Sequence, residues 1–241
     1  MTRAYQRVNF RGHTLNRRTV AMIEQAEKFL GFQLEIMQGS YNGGSGKVSA
    51  SAGTHDGGGA VDFAWIANAT KRNKVVWVLW MVGFAVWPRT ELWSGGSRVW
   101  PNHIHGIAIG DQDMSQGAAK QIQDYYAGLN GLAGHAKDST RRPNPIPKFQ
   151  YPLKVVDLSN LQEQAKLGAK STKKKALPGI RVVQQSLNVK TGTHLKVDGV
   201  FGATTKAAFA RYEKQVGGDG DGIPGEFALS QLGLSRFTVK A

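Results

Sequence analysis

Four side chains able to grip or work a cation sit in two short stretches of the sequence. In "SASAGTHDGGGAVDF" (Ser49 to Phe63), His55 and Asp62 flank the run Gly57, Gly58 and Gly59. In "WPNHIHGIAIG" (Trp100 to Gly110), His103 and His105 are separated by one residue. On a single straight strand His55 and Asp62 would point to opposite faces. The glycines permit backbone angles that fold the chain back so that both side chains converge. His103 and His105 lie two apart in an alternating pattern, so they share a strand face while Ile104 points away. Zinc accepts imidazole and carboxylate ligands, and a hydrolytic site keeps three protein ligands with one position open. His55, Asp62 and one histidine of the pair make such a set. The other imidazole is left as a general base or a transition-state donor.

The composition narrows the remaining chemistry. The chain has 241 residues and no cysteine, so disulfides, thiolate metal sites and cysteine nucleophiles are excluded. Any metal must be held by His, Asp or Glu. An apolar content of 41% is enough for a packed core and argues against global disorder. The net charge is +14, with +7 over residues 1–150 and +7 over the rest. A uniformly basic chain favours a polyanion: nucleic acid, an anionic membrane surface, or a wall bearing carboxylates and phosphates. The N-terminus "MTRAYQRVNFRGH" shows no apolar signal segment, and the longest apolar run, Val75 to Trp87, has 13 residues. A bilayer span needs about 20, so a soluble protein with a buried core helix is expected, and no membrane insertion.

Elements that would position the four side chains can be read from periodicity. "NRRTVAMIEQAEKFLG" has Val20, Ile23, Ala26, Phe29 and Leu30 at helical spacing, with Gly31 as a stop. "FQLEIMQGS" and "HIHGIAIG" alternate and read as strands. Val75 to Trp87 reads as a helix, "WSGGSRVWPN" as a turn, and "MSQGAAKQIQDYYAGLNG" as a further helix. The fold class is therefore α+β, a small antiparallel sheet with flanking helices. His13, His135 and His194 are expected on the surface.

Farther along, the texture changes. "DSTRRPNPIPKFQYP" carries Pro143, Pro145, Pro147 and Pro152, and "AKLGAKSTKKKALPG" is rich in lysine. Residues 146–176 are expected to form a semi-rigid, solvated linker between a domain at 1–145 and another at 177–241. The second domain holds a weak repeat, Asp-Gly-x-x-Gly followed by a helical segment, at Asp198 and again at Asp221. With "PGIRVVQQSLNV" before it, this reads as a bundle of three helices. An EF-hand calcium loop starting at Asp219 is disfavoured, because Ser230 occupies its twelfth position.

The glycine-rich stretch resembles the His-x-x-Gly-x-Ala-x-Asp signature of the D-alanyl-D-alanine carboxypeptidase-like zinc peptidases, matching at His55, Gly58, Ala60 and Asp62. The His-x-His pair is similar to that of the wider group containing lysostaphin-type enzymes and murein endopeptidases. The resemblance covers roughly residues 30–110. It implies one zinc ion on His55, Asp62 and His105, with His103 as the catalytic histidine. Many members place a glutamate base three residues before the last ligand, where this chain has Asn102. The family arginine that holds a substrate carboxylate is replaced by "MQGSY", so Gln38, Ser40 and Tyr41 are the expected substrate-binding residues. Arg89 or Arg98 would have to supply the missing guanidinium. Cleavage inside a peptide is then favoured over removal of a terminal residue.

Residues 177–234 resemble the three-helix peptidoglycan-binding domain found on wall hydrolases, through "VVQQSLN", "LKVDGVFGATTKAAFARYEKQ" and "DGIPG". A small zinc peptidase joined to such a module resembles a bacteriophage endolysin. That resemblance implies a monomer made in the host cytoplasm, released to hydrolyse amide bonds of bacterial peptidoglycan, with no nucleic acid as partner. Two other classes stand beside it: a basic nucleic-acid-binding protein or zinc nuclease, supported by charge alone, and a wall-binding protein without catalysis.

Overall fold

The protein is described from a computed structural model covering residues 3–43, 53–140, 142–167 and 171–240. Ser49 to Ala52 of the glycine-rich stretch and residues 168–170 of the expected linker lie outside the described residues. The chain divides after Pro152 into two compact units.

The first unit begins with a hairpin, β1 (Arg7–Phe10) and β2 (His13–Asn16), followed by α1 (Arg17–Leu30). Asn16 ends the hairpin and caps the helix, its side chain accepting from Thr19 N at 2.8 Å. Capping of this kind satisfies a helix N–H that has no partner within the helix. Met22, Ile23, Ala26 and Leu30 form the buried stripe of α1. Then come β3 (Ile36–Gln38), β4 (Ala60–Ala64), α2 (Ala69–Met81), β5 (Phe84–Arg89), β6 (Leu92–Ser94), β7 (Ser97–Trp100), β8 (His103–Ala108) and α3 (Gln116–Ala127). β6 and β7 pair as a small antiparallel ribbon. The central sheet has the order β3-β4-β8-β5, antiparallel throughout.

The apolar run expected as one helix is divided. α2 supplies its first part and stops at Met81, and Phe84 to Trp87 belong to β5. Gly83 makes the reversal with φ of +102°, and a Cβ there would lie 3.0 Å from the carbonyl oxygen of Pro147. Val75, Val76, Val78 and Leu79 of the helix are buried, as are Phe84, Ala85, Val86 and Trp87 of the strand. A helix and a strand buried this thoroughly both read as unbroken apolarity, so periodicity cannot separate them. The expected strand at 32–40 is shorter than the alternation suggests, since only Ile36–Gln38 pair with β4.

The second unit contains β9 (Lys154–Asp157), α4 (Leu158–Lys166), α5 (Pro178–Thr191), α6 (Ala203–Gln215), α7 (Glu226–Gly233) and β10 (Phe237–Lys240). β9 and β10 pair in parallel. Its core gathers Val156, Leu161, Ile180, Val183, Leu187, Phe209, Leu229, Leu232 and Phe237. The linker expectation needs correction here. Val156, Leu161 and Ala165 fall within 146–176 but are buried in this core, while Ile146 and Phe149 are buried in the first unit. Proline and lysine density marked the segment as solvated, yet its sparse apolar residues are enough to anchor it. The three expected helices correspond to α5, α6 and α7, and α4 is a fourth.

The Asp-Gly repeat has a matching geometry at both copies. Asp198 Oδ1 accepts from Val200 N at 2.9 Å, and Asp221 Oδ1 accepts from Ile223 N at 2.6 Å. Each turn leads into a helix whose N-cap is a glycine, Gly202 for α6 and Gly225 for α7. Among the described residues no helix is long and apolar enough to cross a membrane.

Candidate metal centre

Register places the four side chains together. On β4 and β8, Asp62 stands opposite His105 and Ala64 opposite His103. On the other side of β8, Trp87 stands opposite His105 and Arg89 opposite His103. Strand alternation therefore puts Asp62, His103, His105, Trp87 and Arg89 on one face of the sheet. Gln38, paired with Asp62 across β3 and β4, joins that face. Val61, Phe63, Ile104 and Phe84 occupy the opposite, apolar face, where Phe63 and Phe84 meet edge to face at 6.2 Å.

His55 arrives from the loop before β4, and the three glycines explain how. Gly59 has φ of +84°, a left-handed conformation that side chains resist. Gly57 and Gly58 are needed for closeness instead. A Cβ on Gly57 would sit 2.3 Å from Ser115 N, and one on Gly58 would sit 2.7 Å from both Asn16 Nδ2 and Tyr41 Oη. The loop is stitched down by Gly58 N to Asp113 O at 2.7 Å, Tyr41 N to Gly57 O at 3.1 Å and Asn42 N to His55 O at 3.0 Å. Beneath it, Asn16 Nδ2 donates to Asp111 Oδ2 at 2.8 Å, and the Tyr41 hydroxyl donates to Asp113 Oδ2 at 3.0 Å.

His55, Asp62 and His105 are buried, and each offers one ligand atom, all within 4.8 Å of one another. His55 Nδ1 lies 2.8 Å from the Gly39 carbonyl oxygen. A carbonyl only accepts, so Nδ1 carries a hydrogen, and Nε2, which faces Asp62 Oδ2 at 3.4 Å, is the nitrogen left to take a proton or a cation. His105 Nδ1 lies 2.6 Å from Asp62 Oδ1. His103 follows the pattern of His55: its Nδ1 donates to the Pro101 carbonyl at 2.7 Å, and its Nε2 lies 3.9 Å from Asp62 Oδ1. The donor set suits a divalent cation that takes nitrogen and oxygen ligands. Two of the imidazoles have their outer nitrogen bonded to a backbone carbonyl, the arrangement that orients a metal-binding ring.

The electrostatics follow from burial and proximity. Burial alone would raise the Asp62 carboxyl, but His105 and His55 beside it hold it well below the usual carboxylate range. Burial would lower His55, and the contact with Asp62, aided by the Gly39 carbonyl, outweighs it and raises the ring. His105 is pushed down to about 3 by burial and then by the charge of Arg89, with Asp62 opposing. Arg89 is lowered to about 10 by burial, with Asp62 opposing, and it remains a cation near neutrality.

A cavity of about 150 Å³ opens onto this cluster, lined among others by Met37, Gln38, Thr54, Arg89 and Trp100. Gln38 and Arg89, expected from sequence as substrate-binding residues, are in its wall. Ser40 and Tyr41 are not. Ser40 is buried and donates to the Ala60 carbonyl at 2.7 Å, while Tyr41 supports the glycine loop. Burial raises the Tyr41 hydroxyl to about 12. Asn102, at the position of the missing glutamate, accepts from Glu91 N at 2.7 Å and serves the backbone. His135 is exposed and pairs with Asp124 at 2.9 Å, away from the cluster.

Sequence reasoning missed Asn16, Asp111, Asp113 and Gln121. The first three hold up the glycine loop. Gln121, on α3, touches His105, Arg89 and Thr54. No pattern within the segments that contain them pairs residues so far apart in the chain. No protein-family model, no curated protein and no solved structure matches the chain.

Proposed function

We propose that the first unit is a zinc-dependent amide hydrolase acting on the peptides of bacterial peptidoglycan, and that the whole chain works as a bacteriophage endolysin. One observation carries this reading: ligand atoms of His55, Asp62 and His105 converge within 4.8 Å. A third imidazole, His103, stands on the same strand face as Asp62 and His105. Zinc in such a set supplies Lewis acidity toward a peptide carbonyl and a water-derived nucleophile near neutral pH.

The chain's own groups take the remaining roles. His103, held by Pro101 with Nδ1–H outward, directs the Nε2 lone pair toward the cluster and accepts the proton of the attacking water. Arg89 presents a buried guanidinium whose Nε has no hydrogen-bond partner, a donor for a substrate carboxylate or for the developing oxyanion. Gln38 lines the same cavity and orients the peptide. Cleavage within the peptide is preferred to removal of a terminal D-alanine, because Gln38 occupies the segment where the related enzymes keep their carboxylate-binding arginine.

The second unit is proposed as the wall-binding module. Its support is the pair of matched Asp turns before α6 and α7, together with the +14 charge, which suits an anionic wall. Tethering at an insoluble substrate raises the effective concentration of the first unit without altering its chemistry. The test is mass spectrometry of fragments released from purified peptidoglycan by zinc-loaded and chelator-stripped protein. New amino and carboxyl ends appearing only with zinc are expected. Digestion undiminished by thorough metal stripping would overturn the reading.

A further inference from the structure

Gln121 lies on α3, outside the sheet that carries the ligand strands, yet its carboxamide meets three residues of the cavity wall. Arg89 Nη2 donates to its Oε1 at 3.3 Å, and its Nε2 donates to Thr54 Oγ1 at 3.0 Å. The same Oε1 is 2.9 Å from His105 Nε2. A guanidinium has donors and no acceptor, so the atom facing Arg89 is the carbonyl oxygen and the amide orientation is settled. The ring atom facing that oxygen must then be Nε2–H. In the neutral ring the lone pair resides on Nδ1, which is aimed at Asp62 Oδ1 from 2.6 Å. Two acceptors that close repel unless a cation or a proton lies between them.

We propose that Gln121 is the positioning residue of the metal centre: by accepting Nε2–H it commits His105 to coordinate through Nδ1, on the side of Asp62 and His55. The inference rests on the reading of His55, Asp62 and His105 as a metal centre, and it adds a residue from a separate helix to that centre. Thr54 and Arg89 act through Gln121, each holding one end of its amide so that the oxygen stays on the histidine. Outer partners of this kind typically change metal affinity by about 10–100-fold when removed.

The test uses the full-length protein, with zinc affinity from chelator competition and the His105 ring followed by nitrogen-15 NMR in the zinc-loaded state. The wild type is expected to show a protonated Nε2 and ligation through Nδ1. Gln121→Leu is expected to weaken zinc binding by about 10–100-fold and to mix the two ring tautomers. Gln121→Glu, which keeps an acceptor at the same place, is expected to restore most of the affinity, as a purely packing role would not require. A wild type that binds no zinc sinks the metal centre itself, whatever Gln121 does. Zinc binding in the wild type with unchanged affinity in Gln121→Leu overturns the role of Gln121 alone. Should Gln121→Leu fail to fold, ligation of wild-type His105 through Nε2 overturns it equally.

Discussion

Two groups of potential ligands in this molecule invite comparison. His55, Asp62 and His105 come from a loop and two strands and are buried. Glu213, Asp219 and Asp221 come from one helix end and the loop after it, and only Glu213 is buried. Both sets bring their atoms within 4.8 Å. The difference lies in what those atoms already do. Glu213 Oε2 accepts from Gly222 N at 2.9 Å, Asp221 Oδ1 from Ile223 N at 2.6 Å, and Asp219 Oδ1 from Asp221 N at 3.4 Å. Those carboxylates shape a turn. In the first group the outer imidazole nitrogens are bonded and the inner ones are turned toward a shared carboxylate. Proximity alone is therefore a weak sign of a metal site, and the direction of the lone pairs separates the two.

The comparison breaks most sharply at Asp62. Asp62→Ala is expected to abolish zinc retention and hydrolysis together, as read by metal analysis and fragment release, because it removes the carboxylate that faces all three imidazoles. Next comes His103→Ala, for which zinc is retained and kcat falls by about 10²–10⁴, the usual contribution of a general base. Loss of zinc in that variant would move His103 into the ligand set, and full activity would remove it from the mechanism.

A smaller effect is expected from pH. His55 is raised in the fold, so in cation-free protein its pairing with Asp62 contributes fully below the unfolded value of about 6.5 and is lost as pH rises through the folded value. Cation binding requires the neutral ring and runs the other way. The rise in Tm caused by zinc should grow from mildly acidic to mildly alkaline pH, and a constant rise would contradict the assignment of His55. The smallest effect belongs to the second group. Burial, with Asp221 and Asp219 nearby, raises the Glu213 carboxyl. Its charged form is thus disfavoured in the fold, and Glu213→Gln should hold or slightly raise Tm at neutral pH, with the difference vanishing as the carboxylate protonates in acid. Calcium should leave Tm unchanged, and a clear rise would restore that loop as a cation site.

Legibility from sequence differed by element. α1 could be read because Ile23, Ala26 and Leu30, three of the five residues at helical spacing, are buried on one face and Gly31 ends the helix in the left-handed conformation. The boundary between α2 and β5 could not, since burial erased the periodicity on both sides of Gly83. The segment at 154–166 was hidden for the opposite reason: its few apolar residues, Val156, Leu161 and Ala165, are diluted among polar ones. Ser40 and Tyr41 had the right neighbourhood in the chain, but their hydroxyls turn inward to support the loop.

Residue types and short spacings by themselves determined that His103 and His105 share a face, that a glycine run separates His55 from Asp62, and that no thiolate is available as a ligand. Those are local statements, settled by strand alternation and composition. Which imidazole nitrogen faces the cluster, that Arg89 enters the same cavity, and that Gln121 reaches His105 from α3 were decided only by the tertiary structure. Each depends on strand register or on helix packing between residues distant in the chain, and no spacing within a single segment encodes that.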